Sequence, residues 1–225
     1  MAETSSAGSE LLLELFSASG EGGAERYRER RARSLLSGGQ AACASLFALR
    51  EQHVPEAPLA AAFHAGLFAL NPGADPPEAP GPIDGVSLLG SATYGPMAVC
   101  GEPSRAGEAR PSAMLVLSHP TDLGHDAEFN AWYTDNHMID VARSPHFGSS
   151  ARYAPRRQLA GTPLPYLCVY EIEKPYSAEL HRGLMHWQME TPDDFRQPMP
   201  RTPAGQEVLT IDLWAYFERL WSEGR

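Results

Sequence analysis

Short apolar runs along the chain are separated by glycine- and proline-rich breaks, and two stretches roughly a hundred residues apart show the same order of runs and breaks. In the first, residues 11–16 (LLLELF) make an apolar strand. A glycine turn follows at 20–23, and residues 24 to about 36 carry helical periodicity. In the second, residues 113–117 make the strand, a Pro/Gly turn follows, and a helix opens near Asp126. Each helix leads to a strand-like run, residues 41–50 and 147–156. A further run follows each, 62–72 and 165–175, and both end on a proline that cannot continue a ladder. Phe47 aligns with Tyr153, Arg50 with Arg156, Phe63 with Tyr166 and Pro72 with Pro175.

Beyond those prolines the two copies diverge. The second continues into an amphipathic helix at 176–188, whereas the first runs into GADPPEAPGPIDG, too proline-rich for a helix. A last strand closes each copy, near 86–99 and 208–217. The order βαββαβ, given twice with the second helix of the first copy eroded, predicts an α+β chain of two ferredoxin-like repeats. Each four-stranded sheet has helices on one face only, so the bare faces are expected to close on each other as a fused dimeric α/β-barrel. The expected units are a degenerate N-terminal repeat at 10–104 and a C-terminal repeat at 112–222.

Composition narrows the function classes. With 43% apolar residues in 225, the chain can bury a core. A formal charge of −10 disfavours phosphate backbones and anionic lipid, so neither nucleic acid nor a membrane surface is an expected partner. The one dense basic segment (Arg26, Arg28, Arg30, Arg31, Arg33) is interleaved with Glu25 and Glu29 and reads as a solvated helix face. Cys43, Cys100 and Cys168 form no metal-type spacing and suit a reducing compartment. The longest apolar stretch, 59–70, is too short to span a bilayer, and no basic leader is visible. A cytoplasmic location is the expectation.

Candidate chemistry concentrates in residues 128–153, EFNAWYTDNHMIDVARSPHFGSSARY. At about 100° per residue, Phe129, Trp132 and Tyr133 share one arc of the helix. Asn136 and Asp140 fall in the middle of that arc and His137 at its edge. Polar groups on a stripe that should pack against a sheet need partners or a cavity. Imidazole titrates nearest to working pH, which makes His137 the candidate general base or acid, with Tyr133 one turn earlier able to bond a substrate oxygen. The other reading is an i,i+4 pair whose members satisfy each other at the rim of a core.

The second half resembles the EthD-like family of the dimeric α/β-barrel superfamily. The strand AMLVLSHPTD, the helix EFNAWYTDNH, the passage HMIDVARSPHF and the strands SSARY and YLCVYEIE carry the resemblance. Trp132, Tyr133, His137, Pro145 and Phe147 match the family pattern, while Ile139 and His146 replace a proline and a glycine usual there. The resemblance implies a pocket between sheet and helices that takes aromatic, polyketide or lactone-like substrates, often without metal or organic cofactor. It covers a wide range of reactions.

On this basis His137 and Tyr133 are the expected catalytic residues, with Trp132, Asn136, Asp140, His119, His146 and Phe147 around the substrate. No cofactor and no metal are expected. A cyclase, dehydratase or other lyase is the first expectation, with a cofactor-free monooxygenase and a non-catalytic holder of hydrophobic ligands as alternatives. A haem-binding protein is a further one. The expected partners are a small aromatic or hydrophobic molecule and a second copy of the fused chain. His186 and Trp187, Met185 and Met189 read as packing, and a Schiff-base mechanism would rest on Lys174 alone. P-loop, GxGxxG and GxSxG motifs are absent. The first copy places Arg30, Arg31 and Leu35, or near neighbours, where the second has Trp132, Tyr133 and His137. It is expected to serve as scaffold, with His53 and His64 in core or rim.

Overall fold

The computed structural model describes residues 9–104, 110–190, 200–201 and 207–224, with the side chains of 187–190 left out of the description. Eight strands appear in chain order: β1 (Leu11–Ala18), β2 (Ala41–Gln52), β3 (His64–Leu70), β4 (Val86–Gly101), β5 (Ser112–Pro120), β6 (Phe147–Gly161), β7 (Tyr166–Ile172) and β8 (Leu209–Gly224). They close into an antiparallel barrel in the order β1-β3-β2-β8-β5-β7-β6-β4. The first half contributes β4-β1-β3-β2 and the second β8-β5-β7-β6, so each half has the ferredoxin-like strand order. The α+β fold is that of a dimeric α/β-barrel made within one chain.

Pairings of β2 with β8 and of β4 with β6 form the two seams. These four strands run past the apolar runs that announced them, because a seam strand pairs with its own half along one stretch and with the other half along the next. Their polar ends, such as residues 156–161 of β6, are held by the ladder rather than by hydrophobic patterning.

Strand alternation builds three cores. Leu13, Leu15, Leu115, Leu117, Leu167, Leu213 and Phe217 fill the barrel, joined by Leu59 and Ala62 from the β2–β3 loop. Outside it, Phe16, Tyr27, Leu35 and Phe68 pack under the first helix. Phe129, Tyr133, Tyr170 and Leu184 pack under the second and third. The first helix comprises Gly23–Tyr27, a π turn at Arg28–Ala32 and Arg33–Ser37; the second comprises Asp126–Trp132, a π turn at Tyr133–His137 and Met138–Ala142. The third spans Ala178–Glu190. No described helix is long and apolar enough to cross a membrane.

Between β3 and β4, residues 71–85 hold turns and one isolated bridge, Ile83 to Val86. In chain order this segment stands between β3 and β4 as the third helix stands between β7 and β8. Arginines expected on a solvated face fasten it instead: Arg26 donates to the Asp84 carbonyl at 2.8 Å and Arg31 to the Glu78 carbonyl at 2.7 Å.

Candidate functional site

The outer face of the second half presents Met114 and Val116 from β5, Cys168 and Tyr170 from β7, and Arg152 from β6. The second helix lays Phe129, Trp132 and Tyr133 across them. Tyr133 is buried within hydrogen-bonding reach of Cys168 and Tyr170. Burial pushes the Tyr133 and Tyr170 hydroxyls upward and the Cys168 thiol to about 12, so all three stay protonated near neutrality.

His137, at the last position of the π turn, stacks on Trp132 with ring centroids 4.8 Å apart and meets Tyr133 edge-on at 4.9 Å. The residue as a whole is half-buried. Desolvation pulls its pKa down to about 4, against an opposing pull from the Asp140 carboxylate. The imidazole is therefore neutral at pH 7 and able to accept a proton or hydrogen bond. Asp140 is buried and also meets Arg143 at 3.2 Å; Asn136 is half-buried on the turn between.

Sequence reasoning missed the group that organises this layer. Arg152 is only 1% exposed, and its guanidinium lies 4.4 Å from the Tyr133 ring centroid, 5.0 Å from that of Phe129 and 5.3 Å from that of Tyr166. It donates to the Asn130 backbone carbonyl, the Asn130 side chain and the Thr134 hydroxyl at 2.9, 2.7 and 2.6 Å. Asn130 donates in turn to Asp126, which also accepts from the Tyr166 hydroxyl. A lone arginine in phase with the covered face of the strand SSARY was the available signal. A buried cation on a sheet face needs neighbours of this kind.

Of the expected site residues, Trp132, Tyr133, His137 and Asp140 do come together. Phe147 belongs to the same apolar cluster, with its ring 5.2 Å from that of Tyr170. His146 instead covers the third helix at Gly183, where an added Cβ would lie 2.9 Å from its Nε2. The expectation that His119 shares this mouth is corrected by the pleat. Met114 and Val116 face the helices, while Leu115 and Leu117 face the barrel, and His119 continues the second series. Its Nδ1 lies 2.6 Å from Asp212 at the barrel end packed with Leu59. The side chains of Trp187 and Met189 lie outside the described residues.

The first half also differs from expectation. The burial of Tyr27, Ala32 and Leu35 repeats that of Tyr133, Met138 and Val141. Tyr27 and Arg31, rather than Arg31 and Leu35, therefore stand where Tyr133 and His137 do. Tyr27 lies over Gly66, where a Cβ would approach its hydroxyl to 2.6 Å, as Tyr133 lies beside Cys168. Its hydroxyl donates to Glu14, a carboxylate with no exposed surface that also accepts from Arg31 and from Ser91 at 3.0 Å. This half holds a saturated buried ion pair in place of an imidazole. His64 stacks on Phe16 at 5.1 Å, and His53 stacks on His181 of the third helix at 5.0 Å.

Described cavities lie elsewhere: about 590 Å³ beside residues 71–77, about 160 Å³ at one end of the barrel interior and about 150 Å³ under residues 80–83. Tyr133 and His137 line none of the three. Among the described residues, no three His, Cys, Asp or Glu side chains converge as a metal set.

No family model matches the sequence, and no curated protein matches it. Solved structures do resemble the chain. An anthrone oxidase-like protein superposes over 97% of this chain and 94% of its own, with a TM-score of 0.58 at 8% identity. A heme-degrading enzyme from Listeria monocytogenes covers 93% and 98% with a TM-score of 0.43 at 9% identity. A ferredoxin-fold protein related to antibiotic biosynthesis monooxygenases, from the same organism, covers 94% and 96% with a TM-score of 0.43 at 11% identity. The likeness to the first concerns the fold alone, and the other two superpose too loosely to carry weight.

Proposed function

We propose that the chain is a small-molecule enzyme that moves a proton at an aromatic substrate through His137, without a cofactor. The observation that carries this reading is the imidazole of a half-buried residue, held neutral by desolvation and set between Trp132 and Tyr133. A neutral imidazole flanked by indole and phenol rings suits a planar substrate with an acidic C–H or O–H. Asp140 stabilises the imidazolium that forms on proton uptake, and Arg152 holds Tyr133 in place from below. In this reading Tyr133 and His137 are the catalytic pair, and Trp132, Asn136 and Asp140 form the substrate's surroundings. His146 and Phe147 border them.

Proton abstraction serves a lyase and an oxygenase alike, and the shared fold of the anthrone oxidase-like protein favours oxygenation. An anthrone-type ketone would lose a methylene proton to His137, and the enolate would add to dioxygen. The resulting peroxide anion takes the proton back, and the hydroperoxide so formed loses water, leaving the quinone. Consumption of dioxygen by the purified chain, given such ketones and enolisable polyketide analogues, tests this step. The reading expects one dioxygen consumed per quinone formed. Turnover that proceeds equally without oxygen points to the lyase reading.

The burial of Tyr133 favours a second reading, a protein that holds an aromatic ligand without converting it. His137→Gln separates the two. The enzyme loses about 10²–10⁴-fold in kcat with substrate affinity nearly unchanged, whereas a holder shows binding and no turnover in either form.

A further inference from the structure

The sheet of the second half has a second polar surface on its opposite side. On β7, Cys168 and Tyr170 face the helices, while Val169 and Glu171 face the barrel interior. There the interior opens into a cavity of about 160 Å³. Phe47, Leu67 and Val169 give it apolar walls, and Cys43, Tyr153 and Glu171 give it polar atoms. Phe47 and Tyr153 are the residues that align between the two halves, so one wall is apolar where its counterpart carries a hydroxyl.

Among the described residues the Tyr153 hydroxyl has no hydrogen-bond partner. Burial and the nearby Glu171 carboxylate raise its pKa to about 12, so it is an O–H donor at neutral pH. Glu171 accepts from the Ser104 backbone N–H and hydroxyl and from the Ser149 hydroxyl. Those three bonds leave one of a carboxylate's roughly four acceptor sites. An unused donor and an unused acceptor thus flank one space. A dry apolar cavity of about 150 Å³ accommodates benzene, and this one adds a polar wall. The carboxylates of Glu171 and Glu173 oppose an anion, and the rim cation Arg110 is already paired with both, 3.5 Å from Glu173 and 4.0 Å from the Glu171 oxygen that accepts from the Ser104 N–H and Ser149, which leaves the other Glu171 oxygen with only the Ser104 hydroxyl.

We propose that this barrel mouth binds a single aromatic ring bearing a hydroxyl, the ring against Phe47 and Val169 and the hydroxyl between Tyr153 and Glu171. The site is separate from His137 and does not depend on the reading of that residue.

The test uses the full chain, phenol as probe, and alkylation of cysteines by iodoacetamide at mildly alkaline pH, read by peptide mass. Cys43 lines the cavity and Cys100 does not; Cys100 packs against the layer of Trp132 and Tyr133 and reports phenol bound on that face instead. Phenol is expected to slow alkylation of Cys43 whether or not it also slows that of Cys100, and benzoate to leave Cys43 unprotected. Tyr153→Phe removes one hydrogen bond and is expected to raise the phenol concentration needed about fivefold. Ala113→Leu fills the cavity and should abolish protection; Tyr153→Phe alone decides the matter if that variant does not fold. Absence of Cys43 protection, protection of Cys43 by benzoate, or its indifference to Tyr153→Phe overturns the proposal. Phenol bound only beside His137 leaves Cys43 unprotected, so failure here leaves the proton-transfer reading untouched.

Discussion

Burial acts on His137 and Tyr133 in opposite directions and leaves both uncharged, lowering the imidazole and raising the phenol. The consequence for stability has a definite sign. Above the ordinary histidine value of about 6.5 both folded and unfolded chains are neutral at this position. As pH falls from 6.5 toward 4 the unfolded chain takes up a proton that the folded chain does not. Stability then drops by at most about 3 kcal/mol from this residue, and the loss is constant below 4. His53 and His64, also lowered by burial, act in the same direction. His137→Gln is therefore expected to lose about 1–3 kcal/mol less than wild type between pH 7 and 4.5, measured by urea unfolding. Glu14 makes the contrasting case. Arg31→Met leaves that carboxylate buried without its cation and should cost about 3–5 kcal/mol, whereas joining it to Glu14→Met removes both charges and should recover much of the loss. Neither Glu14 nor Arg152 was legible as buried, because single polar letters in apolar strands show their phase but not their partners.

At the scale of elements, the strands and the starts of the helices could be read from periodicity, since each follows an apolar run bounded by glycine or proline. The π turns could not: one extra residue in a turn leaves the composition unchanged and blurs a helical wheel only slightly. Yet the turn at Tyr133–His137 sets where His137 sits relative to Trp132 and Tyr133. Asp135 is its exposed residue. Deleting Asp135 restores the ordinary α repeat while Phe129, Met138 and Val141 keep their face. The fold should persist, by circular dichroism and thermal unfolding, with turnover lost. Wholesale unfolding would show instead that the π turn is required for packing. The candidate pair Tyr133 and His137 was legible because aromatic and polar residues share one arc. His119 was misplaced because nearness in sequence does not reveal which face of a strand a residue takes.

For the whole molecule, two half-sheets that each leave one apolar face bare bury those faces on each other, and the repeated pattern of apolar runs already implies that closure. What sequence did not reveal is how far the seams extend: β4 and β6 pair from Gly90 with Gly161 to Gly101 with Ser149. Residues 110–224 expressed alone would expose Leu115, Leu117, Leu213 and Phe217 together with the free edges of β6 and β8. Such a fragment is expected to dimerise or aggregate in size-exclusion chromatography; a soluble monomer would contradict a barrel closed by both halves. In the two proposals the full chain takes an aromatic molecule at two separate places, one on each face of the second sheet, and His137 serves the helix-covered one. The most direct test is a crystal structure of the whole chain with an anthrone-type ketone bound. The account predicts the ketone ring against Trp132, with its acidic carbon about 3 Å from a nitrogen of His137. A ligand found only in the barrel mouth, with His137 packed away from it, would contradict the assignment of His137 as the residue that moves the proton.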